Sequence, residues 1–241
     1  MVANEAPRRW AHTAGSQRDA MPRVSDSARQ SVVDLIGDAA GLLLASAHAG
    51  PRFVLVDLLR SIRGDIVVVT ANPEHWNDDE RRSVAAGEAT VADVLRLQFL
   101  RLYAALGSGG VGVVSPDGGR GEVGASVEIL GITVTLSHAP AAMARTTACT
   151  TVPMVATWAG DEVAVDIAAP LYGTRSPSRR QQDQDWTAAY VSWLEGVYRA
   201  DAMNWRLPTG LTLEFFERSA ALTEWHHDYN RMVARTRASS A

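Results

Sequence analysis

The chain contains no lysine; all 23 of its basic residues are arginine. That absence excludes every mechanism built on a lysine amine: the lysine of a phosphate-binding loop, a pyridoxal phosphate Schiff base and the kinase lysine. There is one cysteine, Cys149. A disulfide framework, a cysteine-rich zinc site and an iron–sulfur cluster are therefore excluded as well. No apolar run approaches the roughly 18 residues of a membrane-spanning helix. Positive charge is not in excess, the net charge being −4, so no global basic field points to nucleic acid. No G-x-S-x-G nucleophile elbow is present. The six histidines include no H-E-x-x-H pair or other metal-ligand spacing, so no metal site is expected.

What is present is ordinary globular composition, with 46% hydrophobic and 21% charged residues over 241 positions. Residues 1–28 are polar, rich in Arg, Ser and Ala, and lack the apolar core of a secretory signal. They read as a flexible tail in a cytoplasmic protein, ahead of a single domain over 29–241. Asp26 or Ser27 caps a helix over 28–38, and 41–47 is a short buried strand bounded by glycine. Pro51 opens a helix running to about residue 63. A strand over 65–70, a polar loop over 72–82, a helix over 91–106 and a strand over 111–114 follow. Residues 127–136 read as extended chain turning at Gly131. A helix over 141–147 and strands over 152–158 and 162–167, joined by a turn at Gly160-Asp161, come next. A polar loop over 175–184 precedes two closing helices, over 185–201 and 212–235. Helices alternating with short apolar strands predict an α/β fold, a mostly parallel central sheet flanked by helices.

Residues 119–124 match the dinucleotide pattern G-x-G-x-x-G, but the following 126–136 stretch is β-branched and alternating. The helix that a dinucleotide fold requires there is missing, so that reading fails. The loop still offers Arg120 and the backbone N–H groups around Gly119 and Gly121 to an anion. A solvated arginine on a structural turn is the alternative. His48 falls between a buried strand and a helix, at the strand end where open α/β sheets place their ligand crevice. An imidazole there is either a packed structural residue or a general base. His226-His227 lie in a predicted helix, where sequence neighbours are expected to point to different faces, and they read as a surface or partly packed pair.

Several segments, taken in order, carry a resemblance. Residues 46–53, Ser-Ala-His-Ala-Gly-Pro-Arg-Phe, lie at the strand end. Residues 100–110 form a helix ending in glycines, and 113–121, Val-Val-Ser-Pro-Asp-Gly-Gly-Arg-Gly, form a glycine–arginine block. They are followed by Val-Glu-Ile-Leu-Gly at 127–131, Ala-Pro-Ala-Ala-Met-Ala at 139–144, Thr-Val-Pro at 151–153, and a stretch from Trp193 to Trp205. Together they resemble the glycerolipid acyltransferase superfamily, closest to its lipid A lauroyl/myristoyl acyltransferase branch, over about residues 40 to 206.

The resemblance implies an acyltransferase that uses a thioester of acyl carrier protein or coenzyme A as co-substrate, with no bound cofactor. His48 would be the general base, without a covalent acyl-enzyme, and Arg120 would hold an anionic part of a substrate. The family's H-x4-D/E motif is broken here, because Phe53 stands where the acid is expected. Asp57, one helical turn on, and Asp117, on the loop after a strand, are the candidates to replace it; the alternatives are a helix acid favoured by the dipole for Asp57 and a residue that holds the Arg120 loop for Asp117. If neither does, the acceptor should need little base assistance, as an amine does. His138 is a second acid/base or a space-filling residue. The membrane-anchored branch's N-terminal hydrophobic helix is absent, so the acceptor is expected to be a small molecule or a carrier-tethered group bearing an amine or hydroxyl. Arg52, Arg60, Arg63, Arg175, Arg179 and Arg180 either face solvent or form a patch for an acidic carrier protein. The alternative function is a non-catalytic binding or partner protein that kept the fold and lost the chemistry with its acid.

Overall fold

A computed structural model describes residues 23–37, 39–70, 75–118, 124–130, 132–159, 162–171 and 178–200. Strands are β1 (Arg23–Val24), β2 (Leu42–Ser46), β3 (Val67–Val68), β4 (Val111–Val114), β5 (Gly124–Ile129), β6 (Ile132–Ser137), β7 (Thr150–Ala159) and β8 (Glu162–Ile167). Helices are α1 (Asp26–Ile36), α2 (Arg52–Ile62), α3 (Asp78–Ala85), α4 (Val91–Gly107), α5 (Ala139–Thr147) and α6 (Arg179–Ala200). Among the described residues, six strands form one sheet in the order β1-β8-β7-β2-β4-β3. Every pairing in it is parallel except β7 with β8. The protein is an α/β sandwich, as the alternation of elements predicts.

The central strand β2 is buried along its whole length, and its side chains serve two cores in alternation. Leu42 and Leu44 join Val111, Val113, Val152 and Met154 against Val32 and Ile36 of α1 and Val54, Leu55 and Leu58 of α2. Leu43 points the other way, with Val114, toward Leu102 and Leu106 of α4 and Met143 of α5. Ala45 and Val155 meet Trp186, Tyr190 and Leu194 of α6 on that second side. The separate β5–β6 hairpin packs there too, through Ile129 and Leu136, and is tied to α6 by the Leu130 N–H donating to Glu195 Oε1 at 2.9 Å.

Four sequence expectations change. Arg23–Val24 pairs with β8 and α1 starts at Asp26, capped by Ser25, so the sheet reaches into the stretch read as tail. The 65–70 strand narrows to two residues at a sheet edge, although the Val69 N–H still donates to the Val113 carbonyl. The polar stretch 72–82 contains the start of α3, because Asn77 and Glu80 form a reciprocal capping box. The last described helix begins at Arg179, with the Ser178 hydroxyl accepting from the Gln181 N–H. The turns at Gly131 and at 160–161 and the helix read over 212–235 lie outside the described residues. Among the described residues, no helix is long and apolar enough to cross a membrane.

Candidate active site

Because β2 and β4 are parallel neighbours, paired from Leu42 with Val111 to Ala45 with Val114, their C-terminal ends open on the same sheet edge. His48 follows β2 by two residues, and Asp117 follows β4 by three. This is the edge where ligands of open α/β sheets bind. The chain leaves β2 through a bend that only glycine allows. Gly50 has a φ of +54°, and a Cβ there would lie 1.9 Å from the Ala156 carbonyl oxygen of β7. The bend presses residues 48–51 against the sheet and holds the His48 ring over the end of β4.

There the ring meets Asp117. His48 Nδ1 lies 3.0 Å from Asp117 Oδ1, and the His48 backbone N–H donates to Oδ2 at 2.8 Å. The Tyr198 hydroxyl of α6 donates to the same Oδ2 at 3.3 Å. The Asp117 side chain is 3% exposed and the His48 side chain 17%, so the carboxylate is enclosed while the imidazole keeps a window to solvent. Burial raises the Asp117 pKa, but the positive charge His48 carries whenever it is protonated, the bonds from its ring and backbone N–H and the nearby Arg52 charge outweigh it. The carboxyl is held below its ordinary value. Ionised, Asp117 only accepts hydrogen bonds, so Nδ1 carries the ring proton and Nε2 of the neutral imidazole carries the lone pair. That lone pair accepts from Nη1 of Arg52, the first residue of α2, at 2.9 Å.

Helix α6 closes the site from the second face. Tyr190 and Tyr198, eight residues apart on one side of the helix, are both buried. The Tyr190 hydroxyl donates to the Ser46 carbonyl at 2.8 Å, fixing the last residue of β2. Burial and the Asp117 charge push both phenols well above their ordinary value, so both stay protonated donors. Trp186 stacks on Tyr190 with ring centroids 5.6 Å apart.

The structure thus brings together two of the candidate residues, His48 and Asp117, and separates them from the third. Asp57 is exposed on α2, and neither ring nitrogen of His48 bonds to it. One turn of helix carries it past the ring. Of the two candidates to replace the acid missing at Phe53, Asp117 meets the His48 ring, from another strand end, so the case of a His48 without a carboxylate partner does not arise. The backbone of Phe53 is helical, while its side chain lies outside the described residues, as do Gly119, Arg120 and Gly121. His138 is exposed at the start of α5 rather than filling space. It lines a groove of about 1010 Å³ between β5 and α6, with Ser126, Glu128, Arg180, Thr187 and Glu195, to which none of His48, Asp117 and Arg52 contributes.

The arginine patch also divides. Arg52 is spent on His48; Arg60 donates to the His75 carbonyl, and Arg63 donates to Asp65 and to the Ala39 carbonyl. Arg179 and Arg180 are exposed, and Arg175 lies outside the described residues. Sequence reasoning missed the roles of Arg52 and Tyr198. The four-residue spacing from His48 to Arg52 across a glycine bend was a usable signal; nothing local announces Tyr198, 81 residues from Asp117. No protein-family model matches the chain, and no curated protein matches it in sequence.

Proposed function

We propose that this protein is a cytoplasmic acyltransferase that moves an acyl group from a thioester of acyl carrier protein or coenzyme A to a hydroxyl or amine. His48 is its general base. The observation that carries this reading is the His48–Asp117 dyad at the C-terminal edge of the parallel sheet. A buried, ionised carboxylate on Nδ1 fixes the tautomer and stabilises the imidazolium that forms when Nε2 takes a proton. The ordered resemblance to the acyltransferase superfamily supplies the reaction class.

In the reaction, Nε2 accepts the proton of the acceptor's hydroxyl or amine as that atom attacks the thioester carbonyl carbon. The C–S bond then breaks, and the leaving thiolate takes the proton back from His48. No acyl-enzyme is formed and no bound cofactor is used. Arg120 and the N–H groups of Gly119 to Gly121 would hold an anionic substrate group and the oxyanion, a role that rests on the resemblance alone. With Asp117 in place, a hydroxyl acceptor is as accessible as an amine.

One observation favours the second reading, a binding protein without chemistry: the guanidinium of Arg52 on the lone pair that the base needs. The two readings separate in one experiment. Full-length protein is incubated with mixed acyl-carrier and coenzyme A thioesters and a set of small hydroxyl and amine acceptors, and products are read by mass spectrometry. Acyl transfer that falls by about 10²-fold or more in His48→Ala supports the enzyme. Turnover unchanged in that variant removes the proposed base, and no product with any thioester favours the binding protein.

A further inference from the structure

Arg52 sits where a general base must be open. Its Nη1 lies 2.9 Å from His48 Nε2, the one ring nitrogen that Asp117 does not hold. A guanidinium stays charged in proteins and only donates, so this contact consumes the lone pair. Protonating Nε2 with Arg52 in place would set two N–H donors and two positive charges face to face. The base and Arg52 in this position are therefore incompatible, and His48 can act only after the guanidinium moves.

We infer that Arg52 is the specificity-determining residue of this site. An oxyanion on the substrate, of carboxylate or phosphate type, draws its guanidinium off Nε2 and so uncovers the base. The side chain is suited to such a switch. It is long, only partly buried, and anchored at the first residue of α2, so that the backbone need not move. Its planar fork can pair with both oxygens of a carboxylate or phosphate, which an imidazole nitrogen cannot offer. The positive end of α2 lies at the same residue, with no side-chain cap and no acidic residue in its first turn, and favours the same oxyanion. Thioesters or acceptors without an anionic group would leave His48 covered. The consequence for turnover rests on the acyl-transfer reading, whereas the covering of Nε2 does not.

Chemical modification reads the cover directly and needs no turnover. Diethyl pyrocarbonate, an uncharged reagent, attacks the lone pair of a neutral imidazole. Carbethoxylation of full-length protein at mildly alkaline pH is followed by peptide mass spectrometry, with exposed His138 as the internal reference. In the wild type, His48 is expected to react slowly relative to His138. Either inorganic phosphate or acetate should accelerate His48 alone, and whichever acts more strongly tells a phosphate ligand from a carboxylate one. In Arg52→Gln, which keeps most of the side chain's bulk, His48 should react about ten- to a hundredfold faster, as loss of a charge-assisted hydrogen bond predicts. That rate should no longer respond to either anion. An unchanged His138 rate in the variant reports an intact fold around α5. A His48 rate no faster in Arg52→Gln than in wild type overturns the inference, as does a wild-type rate that neither anion raises. Either failure is distinct from failure of the acyl-transfer reading, which is judged by products in His48→Ala.

Discussion

Two polar clusters sit on the same edge of the sheet, and they are built in opposite ways. Beyond β3, the Thr70 N–H donates to Gln98 Oε1 at 2.8 Å, and Gln98 Nε2 donates to Glu80 Oε2 at 3.3 Å. Arg101 pairs with the other Glu80 oxygen at 2.6 Å, and the Asn77 capping box uses the same carboxylate. These bonds fasten α3 and α4 to the sheet, and none of the groups needs to change its proton or its partner. Beyond β2 and β4, the enclosed carboxylate of Asp117 is just as well satisfied. What it holds, however, is an imidazole, and the imidazole's other nitrogen meets Arg52, which on the inference above moves off when an oxyanion binds. A fully satisfied network of fixed pairs is a fastening. A satisfied network that ends on a ring nitrogen at the ligand edge of a parallel sheet is a candidate site.

The largest effect is expected at Asp117. Asp117→Asn should lower turnover by about 10²- to 10⁴-fold, since an amide can present an N–H to Nδ1 and favour the wrong tautomer. It should also change the acid stability profile. The Asp117 carboxyl is depressed in the folded protein, so its contribution to stability is present above its unfolded value of about 3.9 and is lost as pH falls through the folded value. Urea titrations through this range should show an acid limb in the wild type that is weaker in Asp117→Asn.

The fastening should fail in the other currency. Glu80→Gln removes the ionic half of the pair with Arg101 and is expected to cost about 1–3 kcal/mol in urea unfolding, nearer the low end because Arg101 reaches solvent. Turnover per folded molecule should not change; a large fall in kcat would mean that the two clusters are coupled. A smaller effect belongs to Tyr198→Phe, which deletes one long hydrogen bond to Asp117 and should cost about 0.5–1.5 kcal/mol. The smallest concerns the motif position itself. Phe53→Glu should not raise turnover toward a hydroxyl acceptor, because Asp117 already fills the acceptor place at Nδ1. A gain would show that the ordinary motif carboxylate is the better partner.

Much of the fold was legible because its signals are local. The apolar run 41–47, the stripe of α4 ended by glycines and the alternation of β8 each report their own environment. The capping box Asn77-x-x-Glu80 was equally local, yet the charge of 77–82 outweighed it and the stretch read as a loop. The site was only half legible. His48 stands out by its place at a strand end, but its partner lies 69 residues away, and only the adjacency of β2 and β4 brings the two together. The motif spacing drew attention to Asp57 because H-x4-D/E assumes that the acid comes from the helix after the histidine. Here the acid comes from the neighbouring strand, and the helix contributes Arg52 instead.

On the proposed reading, His48 and Asp117 act as one unit on a transferring proton. The most direct test is a double-mutant cycle in acyl transfer, measuring kcat/KM for His48→Ala, Asp117→Asn and the two combined. Residues that act as a unit are grossly non-additive. The double variant should be no slower than His48→Ala alone, because without the imidazole the carboxylate has nothing left to orient. Losses that multiply, with the double variant falling by the product of the single effects, would contradict it.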